Sequence, residues 1–290
     1  MPEGGGAKRA TPEARKPATR HGSPDVAGQG AGHVARKRFG QNFLVDRHYI
    51  DRIVAAVDPQ PGDNIVEIGP GLGALTVPLL ERLGHLTVIE IDRDLAAKLV
   101  AQYPPARLTL HGTNALTFDF ATLGPQLRVI GNLPYNISTP ILFHLAQFVD
   151  NVKDLTVMLQ KEVVQRMAAA PGTPEYGRLS VTLQARFRVE RLFTVPAGAF
   201  RPAPKVESAL ARLGPLRAAR PHIVDETLFA AVVAAAFGQR RKTLRNALKS
   251  FADEGQLEQA GVAPGARGET LSVAEFVRLA NSLAAGRRPG

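Results

Sequence analysis

Three stretches of this chain carry residues whose types and spacing could do chemistry. The first, Val66-Glu67-Ile68-Gly69-Pro70-Gly71-Leu72-Gly73, sets three glycines behind an apolar run. Glycine lets a backbone turn sharply and approach a ligand with no Cβ in the way, so Gly69 and Gly71 suit a loop that cradles a nucleotide cofactor. The spacing departs from the dinucleotide fingerprint, because Ala74 stands where G-x-G-x-x-G has its third glycine. The second stretch is Ile89-Glu90-Ile91-Asp92, beginning 16 residues after Gly73. Glu90 there could accept from both hydroxyls of a ribose, and either carboxylate could instead cap a helix beginning near Asp94. The third, Asn132-Leu133-Pro134-Tyr135, follows the apolar run Leu127 to Ile130. Asn and Pro both favour turns, so by itself this tetrapeptide reads as a turn at the end of a strand.

Positioning these groups needs a scaffold, and the hydrophobic pattern supplies one. Asn64 to Ile68, Leu86 to Ile91, Leu127 to Ile130 and Asp154 to Leu159 are short runs with strand character, bounded by turn residues. Between or before them, Tyr49 to Val57, Leu75 to Leu83 and Asp94 to Gln102 repeat their apolar residues at helical spacing. Strands separated by helices predict a parallel sheet with ligands beyond the carboxyl ends of its strands, where all three stretches would fall. After Pro215 the pattern is wholly helical, through Thr227 to Phe237, Arg240 to Phe251 and Ser272 to Ala284. Residues 1–34 are rich in Gly, Ala, Pro, Lys and Arg and predict a disordered basic tail. The expected division is therefore a tail over 1–34, an α/β domain over 35–214 and a helical domain over 215–290.

The 290 residues include no cysteine, which excludes disulfides, thiolate metal ligands and a cysteine nucleophile. No metal site is expected. The longest apolar run, Leu228 to Phe237, is about half of the ~20 residues that cross a bilayer, so a buried helix is expected and no membrane association. With no apolar leader at the N-terminus, a cytoplasmic protein is the expectation. The net charge of +10 is concentrated at the two ends: residues 1–38 hold 8 Lys+Arg against 3 Asp+Glu, residues 215–290 hold 11 against 7, and the middle is nearly balanced. A neutral body with basic flanks suits a catalytic domain whose neighbours track a polyanion. Arg241, Arg245 and Lys249 recur at i, i+4 and i+8, with Arg240 and Lys242 beside them, and predict a basic stripe along one helix. Such a stripe would neutralise phosphates, unless it is only a solvated face.

From about residue 36 onward the chain resembles the ribosomal RNA adenine dimethyltransferases, the family that modifies two adjacent adenines near the 3′ end of small-subunit rRNA. The resemblance is carried, in family order, by RKRFGQNFLVD (Arg36 to Asp46), VEIGPGLGALT (Val66 to Thr76), VIEIDRDL (Val88 to Leu95) and GNLPYNIST (Gly131 to Thr139). It continues through QKEV (Gln160 to Val163), YGRLS (Tyr176 to Ser180), FRPAPKVES (Phe200 to Ser208) and QRRKTLRN (Gln239 to Asn246). It implies a Rossmann-like S-adenosylmethionine-dependent methyltransferase domain with a small all-helical C-terminal domain. Asn42 and Leu44 would close over the cofactor's methionine end, Gly69 would face it from the loop that also holds Gly71, and Glu90 would hold the ribose. Asn114 stands where the family usually has Asp to accept from the cofactor's adenine amine. An amide oxygen can still accept there, so the resemblance implies binding weaker by about 1 kcal/mol or less.

The resemblance also gives the turn tetrapeptide a task. An adenine N6 is a poor nucleophile because its lone pair is delocalised into the ring. The amide oxygen of Asn132 and the carbonyl of Leu133 could accept from its two hydrogens and favour the tetrahedral nitrogen, with Pro134 stiffening the turn. Tyr135 and, by resemblance, Phe200 would sandwich the flipped base. Arg36, Lys37 and Arg38 would join Arg240, Arg241, Lys242, Arg245 and Lys249 in gripping RNA. The expected partner is small-subunit rRNA, within a pre-30S particle, with the protein a monomer.

Three other readings compete. A large-subunit methyltransferase of the erythromycin-resistance type shares the glycine loop and N-L-P-Y, but FRPAPKVES, QRRKTLRN and the C-terminal helices favour the small-subunit type. An rRNA-binding assembly factor would not need Asn132. A nicotinamide-dependent oxidoreductase would share the loop and Glu90 without N-L-P-Y.

Overall fold

The computed structural model describes residues 41–239 and 241–286. The expected tail, Arg36, Lys37, Arg38 and Arg240 lie outside the described residues. A seven-stranded sheet runs β4-β3-β2-β5-β6-β9-β7, built from β2 (Ile65–Ile68), β3 (Leu86–Ile89), β4 (Leu108–His111), β5 (Leu127–Asn132), β6 (Val152–Gln160), β7 (Phe187–Val195) and β9 (Ser208–Pro215). From β4 to β6 the pairings are parallel, and β9 joins β6 and β7 antiparallel. The α/β expectation holds, and the antiparallel edge is an addition to it.

Strands covered on both faces must be apolar on both, and β2 is buried along its whole length. Alternate residues feed opposite cores. Leu127 and Val129 of β5 join the cluster under α4 (Ser138–Leu145), α5 (Lys161–Ala168) and α6 (Arg178–Gln184), while Ile130 joins the one under α1 (Arg47–Val57) and α2 (Thr76–Leu83). The helix after β3 begins where the turn chemistry sets it: Asp92 accepts from the Asp94 N–H at 3.0 Å and caps α3 (Arg93–Gln102). The C-terminal end of α1 is pinned by two arginines from the sheet. Arg128 donates to the Val57 carbonyl at 2.7 Å and Arg212 donates to that of Ala56. Cations suit the negative end of a helix, and these two also hold α1 against the sheet.

The last strand ends at Pro215, and beyond it come α7 (Glu226–Gly238), α8 (Leu244–Ala247), α9 (Glu254–Gln259) and α10 (Val273–Gly286). These helices share a core that also takes in Tyr176, Val181 and Ala185. The YGRLS stretch thus has a packing role: Tyr176 is fully buried in this core, and Ser180 donates to the Arg166 carbonyl. The expected helix over Arg240 to Phe251 is not continuous. The Leu244 and Arg245 N–H groups bond to the Ala266 and Pro264 carbonyls instead of to the preceding turn, and only four residues are helical.

Candidate active site

The glycine loop leaves β2 and turns at once. Gly69 and Gly71 have φ of +66° and +60°, a region that side chains other than glycine rarely adopt, and a Cβ on Gly71 would come within 3.2 Å of the Phe43 ring. The neighbouring strand end is equally tight, since a Cβ on Gly131 would lie 2.6 Å from the Ile68 carbonyl. The loop, the ends of β3 and β5 and the segment before α1 enclose a cavity of about 230 Å³. Its lining includes Asn42, Leu44, Gly69, Gly71, Glu90 and Asn114, together with Asn132, Leu133, Pro134 and Tyr135. Residues far apart in the chain thereby meet at one place beyond the carboxyl ends of parallel strands.

The two carboxylates of Ile89-Glu90-Ile91-Asp92 take different tasks. Asp92 caps α3, whereas Glu90 lies 5% exposed at the cavity and accepts from the Asp92 N–H at 2.8 Å and the Gly71 N–H at 3.3 Å. Burial raises the Glu90 pKa, and the two N–H groups oppose that rise. A carboxylate has more acceptor sites than these two donors use. Sequence reasoning passed over Glu67, which also lines the cavity. It is 2% exposed, accepts from the Thr76 hydroxyl at 2.7 Å, and its pKa is pushed up to about 7 by burial, with the charge of Glu90 adding to the rise. The available signal was an acidic residue inside the otherwise apolar strand Ile65–Ile68. Asn114 sits at the cavity with its amide oxygen accepting from the Leu116 N–H at 3.0 Å.

The tetrapeptide is a turn, and an ordered one. Asn132 closes β5, the Leu133 N–H donates to the Met158 carbonyl at 3.1 Å, and the Pro134 carbonyl accepts from Ile137 at 3.1 Å. The Asn132 Nδ2 donates to the Asn42 carbonyl at 2.9 Å, which directs the amide nitrogen at the segment before α1. Two acceptors are thereby kept from the turn's own described hydrogen bonds: the Asn132 Oδ1 and the Leu133 carbonyl.

Phe200 is not brought to the cavity. Its ring is 0% exposed in the core with Leu44 and Leu210, because β8 (Phe200–Arg201) pairs antiparallel with β1 (Phe43–Leu44) and turns the ring inward. The expected two-sided sandwich is therefore not assembled, and Tyr135 alone of the two lines the cavity. The basic stripe also needs correction. Arg241, Lys242, Arg245 and Lys249 are all exposed, but with α8 only four residues long they do not follow one helix face, and Arg245 pairs with Glu254 at 3.3 Å.

Comparison with known proteins shows the family of the chain. The profile of the family described as "Ribosomal RNA adenine dimethylase" matches residues 32–285. The chain is 63% identical over 253 residues to the ribosomal RNA small subunit methyltransferase A of Aromatoleum aromaticum, covering 87% of this chain and 96% of that protein. It is 57% identical to the protein of the same name from Thiobacillus denitrificans, covering 87% and 99%. Among solved structures, a 23S rRNA methyltransferase, ErmE, aligns with a TM-score of 0.61 at 27% identity over 84% of this chain and 100% of that one. A dimethyladenosine transferase from Plasmodium falciparum aligns with a TM-score of 0.70 at 24% identity over 82% and 95%, which speaks to the fold. With a profile match over most of its length and relatives aligned nearly end to end, the chain belongs to the ribosomal RNA adenine dimethylase family.

Proposed function

We propose that this chain is an S-adenosylmethionine-dependent methyltransferase that dimethylates the N6 of two adjacent adenines near the 3′ end of small-subunit (16S) rRNA. The observation that carries the reading is the cavity that collects Glu90, Asn42 and Asn132-Leu133-Pro134-Tyr135. Its donor set fits the cofactor. Glu90 is a buried acceptor for a ribose, Gly69 and Gly71 leave room for close backbone approach, and the acidic residues Glu67 and Glu90 favour a cationic ligand. Asn42 and Leu44 would cover the methionine end, and Asn114 would meet the adenine. When bound, the cofactor supplies an electrophilic methyl group.

The chain's own residues hold the other reactant. The Asn132 Oδ1 and the Leu133 carbonyl accept from the two N6 hydrogens, and those bonds strengthen as positive charge develops on nitrogen, which lowers a barrier rather than only improving binding. Tyr135 offers a face for the flipped base. Exposed Arg241, Lys242, Arg245 and Lys249 supply phosphate contacts as a dispersed basic surface. Residues 35–214 act as the catalytic domain and 215–290 as the RNA-binding one, in a cytoplasmic monomer whose substrate is a pre-30S particle. Among the described residues no helix is long and apolar enough to cross a membrane.

Labelled S-adenosylmethionine, given in parallel to small-subunit particles lacking the modification and to large subunits, tests the reading. Label should appear in N6,N6-dimethyladenosine of small-subunit rRNA. Label confined to large-subunit rRNA, or absent from both, would overturn it.

A further inference from the structure

Ser208 stands at the end of a stretch, FRPAPKVES, that the proposed chemistry leaves largely unused. It opens β9, where it is paired with Gln160 of β6 on one side and Val195 of β7 on the other. Its side chain is 0% exposed. A serine hydroxyl in such a place costs free energy unless it is paired, and its partner is the Tyr135 hydroxyl, 2.6 Å away and 73 residues distant in sequence. Tyr135 itself stands outside the sheet, on the turn after β5, with its backbone carbonyl accepting from the Ser138 hydroxyl at 2.9 Å. Next to Ser208, the start of β9 is fastened again: the Lys161 N–H donates to the Glu207 carbonyl at 3.0 Å and the Lys161 ammonium pairs with the Glu207 carboxylate at 2.8 Å.

We infer that Ser208 is a positioning residue that fixes the Tyr135 ring for stacking on the target base; the inference rests on the proposed reading of Tyr135 as the stacking residue. With Phe200 sealed in the core, the expected second ring does not hold the base square to the first, so the Tyr135 ring needs an anchor of its own. A phenol pinned at its far end cannot swing about its Cα–Cβ bond, and the pin is set in a strand hydrogen-bonded on both edges. Burial raises the Tyr135 pKa, so the hydroxyl stays protonated and able to donate.

Tyr135→Phe and Ser208→Ala remove the same bond from opposite ends, and their double variant closes a cycle. The full chain is used, with unmodified small-subunit particles and labelled cofactor. Each single variant should lose about five- to tenfold in single-turnover rate at saturating substrates, the range expected for one neutral hydrogen bond. Cofactor and particle affinity should stay within about twofold of the parent, and the double variant should be no slower than the singles, since both delete one interaction. Rates are referred to enzyme competent in cofactor binding, so a merely destabilised protein would show a lower melting temperature with an unchanged rate, and that outcome overturns the inference. Multiplying losses in the double variant would overturn it as well. If Ser208→Ala does not fold, Tyr135→Phe, altered at the half-buried end, decides alone. Tyr135→Ala separates the two levels: if it keeps the parental rate, the stacking reading itself fails, whereas a large loss with Tyr135→Phe unaffected sinks only the tether.

Discussion

Around the cavity, Glu67 and Glu90 are buried and each is held by donors of the chain itself, a hydroxyl in one case and two backbone N–H groups in the other. After α7, Arg241, Lys242, Arg245 and Lys249 are exposed, standing on turns and one short helix, and the ion pair of Arg245 with Glu254 is itself solvent-facing. On the proposed reading the first arrangement would bind by preorganisation, its groups being fixed before a ligand arrives, so each should carry a large, local effect. The second would bind by summed charge, which tolerates imprecise placement and is weakened by salt. One region should therefore fail on single substitutions and the other only on several.

Asn132→Ala tests the preorganised side most severely. The loss of one acceptor that acts in the transition state should cost on the order of 100-fold or more in single-turnover rate, by analogy with an oxyanion-hole donor, while cofactor affinity changes little. A variant within a few-fold of the parent would sink the proposed role. Glu90→Ala comes next: deleting a charged acceptor should weaken S-adenosylmethionine binding by roughly 1.5–3 kcal/mol, about 10- to 150-fold, in calorimetric titration. Unchanged affinity would mean that the cofactor lies elsewhere.

On the basic side, reversing Arg241 and Arg245 together to Glu should reduce RNA affinity and flatten its salt dependence, by a slope of about 0.7–0.9 for each phosphate no longer neutralised, with cofactor binding intact. An unchanged slope would identify these residues as solvated surface. The smallest effect is a pH dependence. A folded-state pKa of about 7 for Glu67 lies above the ordinary carboxylate range, so the neutral acid is favoured in the folded protein. Its contribution to stability is full below the ordinary carboxylate pKa and is lost as pH rises through about 7. A cationic ligand reverses the preference, so cofactor affinity should rise with pH up to about 7, by at most about tenfold per unit, and Glu67→Gln should flatten the rise. A slope that survives in Glu67→Gln would assign the titration to another group.

Much of the parallel half, and the first helix beyond the sheet, was legible. The run Asn64 to Ile68 became β2 at Ile65–Ile68, and Thr227 to Phe237 became α7 at Glu226–Gly238, because buried strands and helices impose long apolar patterns. The antiparallel edge escaped notice. In β7 the exposed Arg188, Glu190 and Arg191 mix with apolar residues, and the register shifts between Arg191 and Phe193, which interrupts the two-residue period. The helix expected across Arg241 to Lys249 failed for a different reason: the carbonyls of Pro264 and Ala266, some twenty residues further on, take the N–H groups that would have continued it.

The sequence by itself determined the groups that could act and the turns that carry them: the glycines after β2, the carboxylate at the end of β3, and Asn132 to Tyr135 at the end of β5. These features are local, since φ limits, proline geometry and strand ends act within a few residues and leave a readable pattern. Only the tertiary structure decided how those groups point. The Asn42 carbonyl directs the Asn132 amide from 90 residues away, pairing with Leu44 turns Phe200 into the core, and Ser208 reaches Tyr135 across the sheet. Contacts of that kind are made through space between residues with no periodic relation, so they leave no trace in the order of the chain until the strands that bring them together have paired.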